Sequence, residues 1–221
     1  MPNRDYYENS YPLVHYQGAM GRFTRITHES VEKGLGSLDY FPKVLEIGAH
    51  TGEHIPFISH KFDEYVCLDI QPFNGESKNA KISHVTGDAE DLPFLDGTFD
   101  RVISVCVLHH IPRANNALTE IRRVAKSGAL ISLYVPCDPG ILYRFIRHWT
   151  SHVKMKKLSG IPMWQVKGLW AEEHRGHALG ILSMIRSVFH HDFVAIKRFP
   201  FSALSWNFNL FFVVSIKINK D

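Results

Sequence analysis

The side chains best placed to do chemistry are acids at the ends of apolar runs and a set of histidines. Glu46 falls near the end of Lys43-Val44-Leu45-Glu46-Ile47, and Asp69 near the end of the run Glu64 to Ile70. A carboxylate at such a place can accept hydrogen bonds from paired hydroxyls or meet a cationic group. A third acid, Asp88, follows Gly87. The chain has 14 histidines, and four of them sit where a ligand could reach. His109 and His110 follow the apolar run from Val102 to Leu108, and His174 and His177 precede a helical stretch. Imidazole titrates closest to neutrality, so His109, His110, His174 and His177 are the candidate general bases. His50 and His54, or His174 and His177, could begin a metal site, but no spacing supplies a third and fourth ligand. No metal is expected.

The elements that must hold these groups follow from hydrophobic patterning. Lys43–Ile47 reads as a short buried strand, and Gly48 and Gly52 bracket a tight turn after it. Glu53 to Ser59 can continue as a helix, which would leave backbone N–H groups directed outward as a seat for an anionic or polar group. The turn lacks the Lys-Ser/Thr ending of a phosphate loop and the spacing of a dinucleotide G-x-G-x-x-G. Glu64–Ile70 is a second strand, one strand–helix–strand unit later, and Lys81–Gly87 a third. Phe99 begins a fourth, which runs into the loop at His109. Asn115–Lys126 is an amphipathic helix with Gly128 as its stop signal, and Ala129–Val135 is a fifth strand. Alternation of this kind argues for a parallel sheet covered on both faces.

The tail breaks that rhythm. Between Ile141 and Ala171 lie Arg144, Arg147, Lys154, Lys156, Lys157 and Lys167, with no Asp or Glu. Ile141, Leu142, Phe145, Ile146 and Trp149 have helical spacing, so this begins as a basic amphipathic helix. Structurally this is a solvated lid whose apolar stripe packs on the core; functionally it would contact a small-molecule acceptor of anionic character, or a membrane surface touched peripherally. A helix over Ala178–Phe189 and strands at Phe193–Phe199 and Leu210–Lys217 complete the chain. Residues 1–42 read as an aromatic-rich cap, with Tyr6, Tyr7, Tyr11, His15 and Tyr16 ahead of Gly18 and a helix over Phe23–Lys33.

Composition excludes several classes. A length of 221 residues with 45% hydrophobic and 21% charged residues is that of an ordinary globular α/β domain. A net charge of +3 is too small to argue for nucleic acid. Cys67, Cys106 and Cys137 include no C-x-x-C pair and read as reduced thiols, the first two within apolar runs. The first residues carry no apolar stretch such as a secretory signal needs, and no run approaches the ~20 residues of a membrane span. A cytoplasmic location is expected.

Glu46-x-Gly48-x-His50-x-Gly52 resembles motif I, E/D-x-G-x-G-x-G, of the class I S-adenosylmethionine (SAM) dependent methyltransferases, with histidine where the family usually has its middle glycine. The run from Gly87 to Pro112 resembles the middle of small-molecule members, and Glu173-His174-Arg175-Gly176-His177 resembles a segment in many of them. The resemblance covers roughly residues 40–217. It implies an α/β, Rossmann-like, seven-stranded and mostly parallel sheet whose last strand is antiparallel, with helices on both faces. It further implies one domain over 1–221: a cap to residue 42, a SAM-binding core over 43–135, a basic acceptor lid over 136–177, and a closing helix and strand pair over 178–221. By the same resemblance, Glu46 and the backbone of Gly48, Ala49, His50 and Gly52 hold the methionine end of SAM. Asp69 takes the ribose, Ile70 packs on adenine, Asp88 and Ala89 meet the adenine edge, and Cys106 offers a backbone carbonyl. The implied activity is methyl transfer from SAM to a small molecule, most plausibly at oxygen in glycan, lipid or secondary-metabolite biosynthesis. Alternatives are a nicotinamide-dependent oxidoreductase or epimerase, which the absent G-x-G-x-x-G and Tyr-x-x-x-Lys disfavour, and a non-catalytic binding module. No Asn/Asp-Pro-Pro-Tyr motif follows the fourth strand, which disfavours nucleic-acid methylation.

Overall fold

The computed structural model describes residues 18–73, 79–160 and 162–220. Strands β1 (Lys43–Ile47), β2 (Glu64–Asp69) and β4 (Phe99–Ser104) form its centre. Alternate side chains along a strand point to opposite faces. Here both faces are buried: Leu45, Ile47, Val66, Leu68 and Val102 join one apolar layer, and Val44, Tyr65, Cys67 and Ile103 the other. That is why these strands read as nearly unbroken apolar runs. With β3 (Ile82–Thr86), β5 (Ala125–Pro136), β6 (Phe193–Phe199) and β7 (Phe211–Lys217) they make one seven-stranded sheet. Its order is β3-β2-β1-β4-β5-β7-β6, parallel through β5, with β7 antiparallel to both β5 and β6.

Helices close the two faces. The amphipathic stripe of α2 (Ala114–Val124) buries Ala117, Leu118 and Ile121, and α6 (Ala178–Val188) lays Ile181 and Ile185 into the same layer. Helix α1 (Gly18–Glu32) covers the opposite face through Phe23 and Val31. After β5 the chain forms α3 (Ile141–Arg147), a π-helical turn at His148–His152 and α4 (Val153–Ser159), then α5 (Met163–Glu173). Met155, Val166 and Trp170 give this lid a small apolar centre of its own. Among the described residues no helix is long and apolar enough to cross a membrane.

Two sequence expectations are corrected, and a third is not tested. Glu53–Ser59 does not form an α-helix; a three-residue 3-10 turn, Ile55–Phe57, stands there with Pro56 inside it. Gly128 is not a helix stop but lies within β5, which begins at Ala125 directly after α2. The aromatic cluster from Tyr6 to Tyr16 lies outside the described residues.

Beneath α1 lies a buried polar network. The Glu32 carboxylate accepts a hydrogen bond from the fully buried Arg101 guanidinium and lies 3.0 Å from His54 Nε2. His28 Nδ1 meets His54 Nδ1 at 2.9 Å. Burial works against the Glu32 charge, yet His54 and Arg101 hold its carboxyl below the usual range. Burial, reinforced by His54, pushes His28 down to about 4. This network ties α1 to the segment that follows the Gly48–Gly52 turn.

Candidate functional site

The C-terminal ends of β1, β2 and β4 meet where strand order reverses, with β1 lying between β2 and β4. Open α/β sheets bind ligands at such a reversal. Gly48 leaves β1 with φ +71, and an added Cβ there would lie 2.0 Å from Val107 Cγ2. Glycine is therefore required twice, by its left-handed backbone and by the approach of the loop after β4. Gly52 has φ +83. Between them His50 also sits at φ +45, held by its N–H donating to Asp69 Oδ2 at 2.9 Å and by Nδ1 2.8 Å from Glu53 Oε1.

The turn does not present the row of outward amides expected for a helix N-terminus. Gly48 and Ala49 both donate to the Leu68 carbonyl, at 2.8 and 3.1 Å, Gly52 donates to Ala49, and His50 donates to Asp69. The donors are spent on joining the turn to β2. Asp69 gains most from this. Its oxygens each accept one backbone N–H, from His50 and from Gln71 at 2.9 Å, which fixes the carboxylate while leaving lone pairs for a ligand.

Around Asp69 the other expected residues divide by exposure. Ile70 is 66% exposed, an apolar surface directly beside the fixed carboxylate. Asp88 is exposed and steadied by the Glu90 N–H at 2.9 Å, whereas Ala89 is buried. Glu46 is buried and accepts a hydrogen bond from the Tyr65 hydroxyl at 2.8 Å. Burial raises its carboxyl to about 8 against the opposing pull of Tyr65. Cys106, two residues beyond β4 on the same rim as His50, has φ +60. Burial pushes its thiol up to about 12, which rules out a thiolate nucleophile at neutral pH. Non-glycine residues in left-handed backbone cost energy and cluster at ligand sites. His50 and Cys106 are the two such residues described, and both stand on this rim.

Three of the four candidate histidines converge beside it. His109, His110 and His174 place one ring nitrogen each within 4.8 Å of one another. The loops that carry them are stapled together, since the amides of Arg175 and Gly176 donate to the His109 carbonyl at 2.9 and 3.0 Å. Asp138 Oδ2 lies 3.1 Å from His174 Nδ1 and also accepts from Arg147. Burial opposes the Asp138 charge, but His174 and Arg147 keep its carboxyl below the usual range. Burial lowers His174, Asp138 acting against it, and lowers His109 well below the ordinary imidazole value. His177 does not join them. It is exposed at the start of α6. His50 and His54 are likewise split, the first exposed beside Glu53 and the second buried against Glu32.

Residues 45–133, from β1 into β5, match the family model described as a methyltransferase domain. Over 107 residues the chain is 35% identical to a fatty-acid O-methyltransferase of Mycolicibacterium smegmatis, covering 44% of this chain and 38% of that protein. A chloroplastic 2-methyl-6-phytyl-1,4-hydroquinone methyltransferase of Oryza sativa subsp. japonica is 33% identical over 104 residues, 44% of this chain and 32% of its own. The chain thus spans about a third of the length of these curated relatives. A solved SAM-dependent methyltransferase of Thermotoga maritima shares the fold, with a TM-score of 0.58 at 22% identity over 98% of this chain and 96% of that one. The chain thus matches a methyltransferase domain from β1 into β5, on a fold it shares with a SAM-dependent methyltransferase.

Asp69 is an oriented hydrogen-bond acceptor and Ile70 an exposed apolar plate beside it, a pairing whose chemistry suits a nucleoside. What the sequence did not disclose is Asp138, which stands in an Asp-Pro-Gly run with no pattern to mark it. Its partners Arg147 and His174 lie 9 and 36 residues away, and only the lid's return brings them together.

Proposed function

We propose that this methyltransferase moves the methyl group of SAM to an oxygen of a small, amphipathic acceptor carrying negative charge. The observation that carries the reading is the fixed Asp69 carboxylate beside exposed Ile70, at the reversal of strand order in a methyltransferase sheet. Glu46 and the Gly48–Gly52 turn would enclose the methionine end, Asp69 the ribose hydroxyls, and Ile70, Asp88 and Ala89 the adenine. SAM supplies a methyl group activated by its sulfonium. The acceptor oxygen forms the new C–O bond with its own electron pair while the C–S bond breaks toward sulfur. Holding the two in line supplies most of the acceleration. The acceptor proton would pass to the histidine trio, and His174, oriented by Asp138, is the base the contacts favour.

The lid supports the acceptor's character. Ile141 and Phe145 on its first helix and Trp149 in the π-helical turn that follows are exposed, and Arg144 is exposed among them. Lys156, Lys157 and Lys167 are exposed farther along. The Mycolicibacterium smegmatis relative is named for O-methylation of a fatty acid, an acceptor with an apolar body and an acidic head.

Thermal shift with SAM and S-adenosylhomocysteine, set against NAD and NADP, tests the cofactor. Stabilisation by the first pair alone is expected, and a response to NAD alone would overturn the reading. Asp69→Ala should weaken SAM binding by about 2–3 kcal/mol, or 30- to 150-fold, the scale of lost charge-assisted hydrogen bonds. Unchanged affinity by calorimetry would remove Asp69 from the ribose site. Isotopically labelled SAM incubated with cell extract and enzyme, followed by mass spectrometry, identifies the acceptor.

A further inference from the structure

We infer that His109, His110 and His174 form a site for one divalent transition-metal ion of the zinc class, and that the ion blocks methyl transfer by occupying the nitrogens the acceptor proton needs. The inhibitory half rests on the reading of the trio as base; the binding half does not.

The donor set is three imidazoles, the ligand type that suits zinc, copper and nickel. One nitrogen from each lies within 4.8 Å of the others, against about 3.3 Å between nitrogens around a tetrahedral zinc with bonds of about 2.0–2.1 Å. Small rotations about the side-chain bonds of three rings close that gap. His109 is 4% exposed, and its Nδ1 is buried with no hydrogen-bond partner among the described residues. A buried, unanswered nitrogen costs free energy that a ligand would recover. His174 meets the further requirement of a metal-binding histidine. Its Nδ1 is engaged by Asp138 Oδ2 at 3.1 Å, which orients the ring and leaves Nε2 as the ligating atom. Arg147, 3.4 Å from the same Nδ1, is neutralised by its own pairing with Asp138. His110 is the more open member, on the solvent side of the group. A three-histidine set leaves a fourth position for water or an acceptor atom.

The chain carries its own control. His190 and His191 are a second adjacent pair, with ring centroids 3.9 Å apart against 4.0 Å for His109 and His110. Both are exposed, and His190 Nδ1 is bonded to the Ser187 carbonyl. They lack the third imidazole and the supporting carboxylate.

The whole chain, freed of metal by chelator and dialysis, would be titrated with zinc chloride by calorimetry and with cobalt chloride by visible absorption. One tight ion per chain is expected, with cobalt giving the d–d bands of a low-coordinate site. His174→Ala and His110→Ala should each weaken zinc binding at least 100-fold, and Asp138→Asn 10- to 100-fold. His190→Ala with His191→Ala should leave it unchanged. Zinc affinity unaltered in the trio variants, or lost only in the 190/191 variant, would overturn the site. SAM-induced thermal stabilisation of each metal-free variant confirms folding. If that stabilisation is present while zinc gives no saturable heat, this inference fails and the methyltransferase reading stands. If zinc binds and SAM does not, the reverse holds. Saturating zinc should reduce turnover at least tenfold and chelator restore it; turnover unaffected by bound zinc would overturn the inhibitory half.

Discussion

Glu32→Ala should lower unfolding stability by about 3–5 kcal/mol, the cost of leaving a buried charge without its partner. The stranded group is Arg101, fully buried on β4, whose Nε and Nη1 have no hydrogen-bond partner among the described residues. Its remaining contact is the face of Phe41, 5.3 Å away. A urea titration with an unchanged m-value and a lowered midpoint would register the loss. The double change Glu32→Leu with Arg101→Leu should recover most of it, because apolar pairs of similar volume often replace buried ion pairs without loss. A double variant as weak as the single one would show that the charge is not the cause.

The same network makes the fold acid-sensitive. His28 is held down to about 4 from 6.5, chiefly by burial. A histidine whose folded value is depressed contributes stability that is complete above 6.5 and lost as pH falls toward 4. The amount is on the order of 3 kcal/mol. Glu32, also depressed, adds a loss below its ordinary 4.5. Glu46, raised to about 8, acts the other way and favours the fold as pH falls from 8 toward 4.5. The His28 contribution is therefore read by difference: the urea midpoint of His28→Phe should gain on that of the unaltered chain as pH falls from 6.5 to 4, and a difference independent of pH would refute it.

The second large effect is at Gly48. Gly48→Ala forces a side chain into left-handed backbone, about 1–2 kcal/mol, and drives its Cβ into Val107, about 1–3 kcal/mol more. A total of about 2–5 kcal/mol is expected, with SAM binding lost wherever the turn is displaced. Gly97 provides the comparison. It too has positive φ, +59, but nothing lies within 4 Å of an added Cβ, so Gly97→Ala should cost only the backbone part. Val107→Ala should relieve part of the Gly48→Ala penalty. Equal midpoints for the Gly48 and Gly97 variants would refute the steric account.

Much of this architecture could be read from residue patterns, because strands buried on both faces announce themselves as apolar runs. β1 and β6 were anticipated to the residue, and β2 within one. The helix after β1 was misread because Glu53–Ser59 looks permissive in isolation. In the fold His54 is drawn under α1 to meet Glu32, and the chain has room for only one tight turn before it crosses to β2. Gly128 was misread as a terminator because α2 passes into β5 without a loop, and its N–H instead donates to Ile218. His109, His110 and His174 were visible as residues of the right type. What drew them together was not visible, since it depends on a carbonyl at 109 capturing amides at 175 and 176. The Glu32–Arg101 pair was invisible for the same reason. Neither residue has a local pattern that marks it, and their contact spans 69 positions.

The π-helical turn at His148–His152 fixes how the lid presents itself. Its extra residue per turn lets Trp149 face outward at 61% exposure while His152, three positions on, is buried near Trp170. Deleting one residue there should rewind the segment to α geometry while α4 keeps its register. Lys156 and Lys157 would then keep their places while Trp149 and His152 change theirs. A single deletion in this stretch should therefore reshape the lid's outer rim long before it alters whether the chain folds.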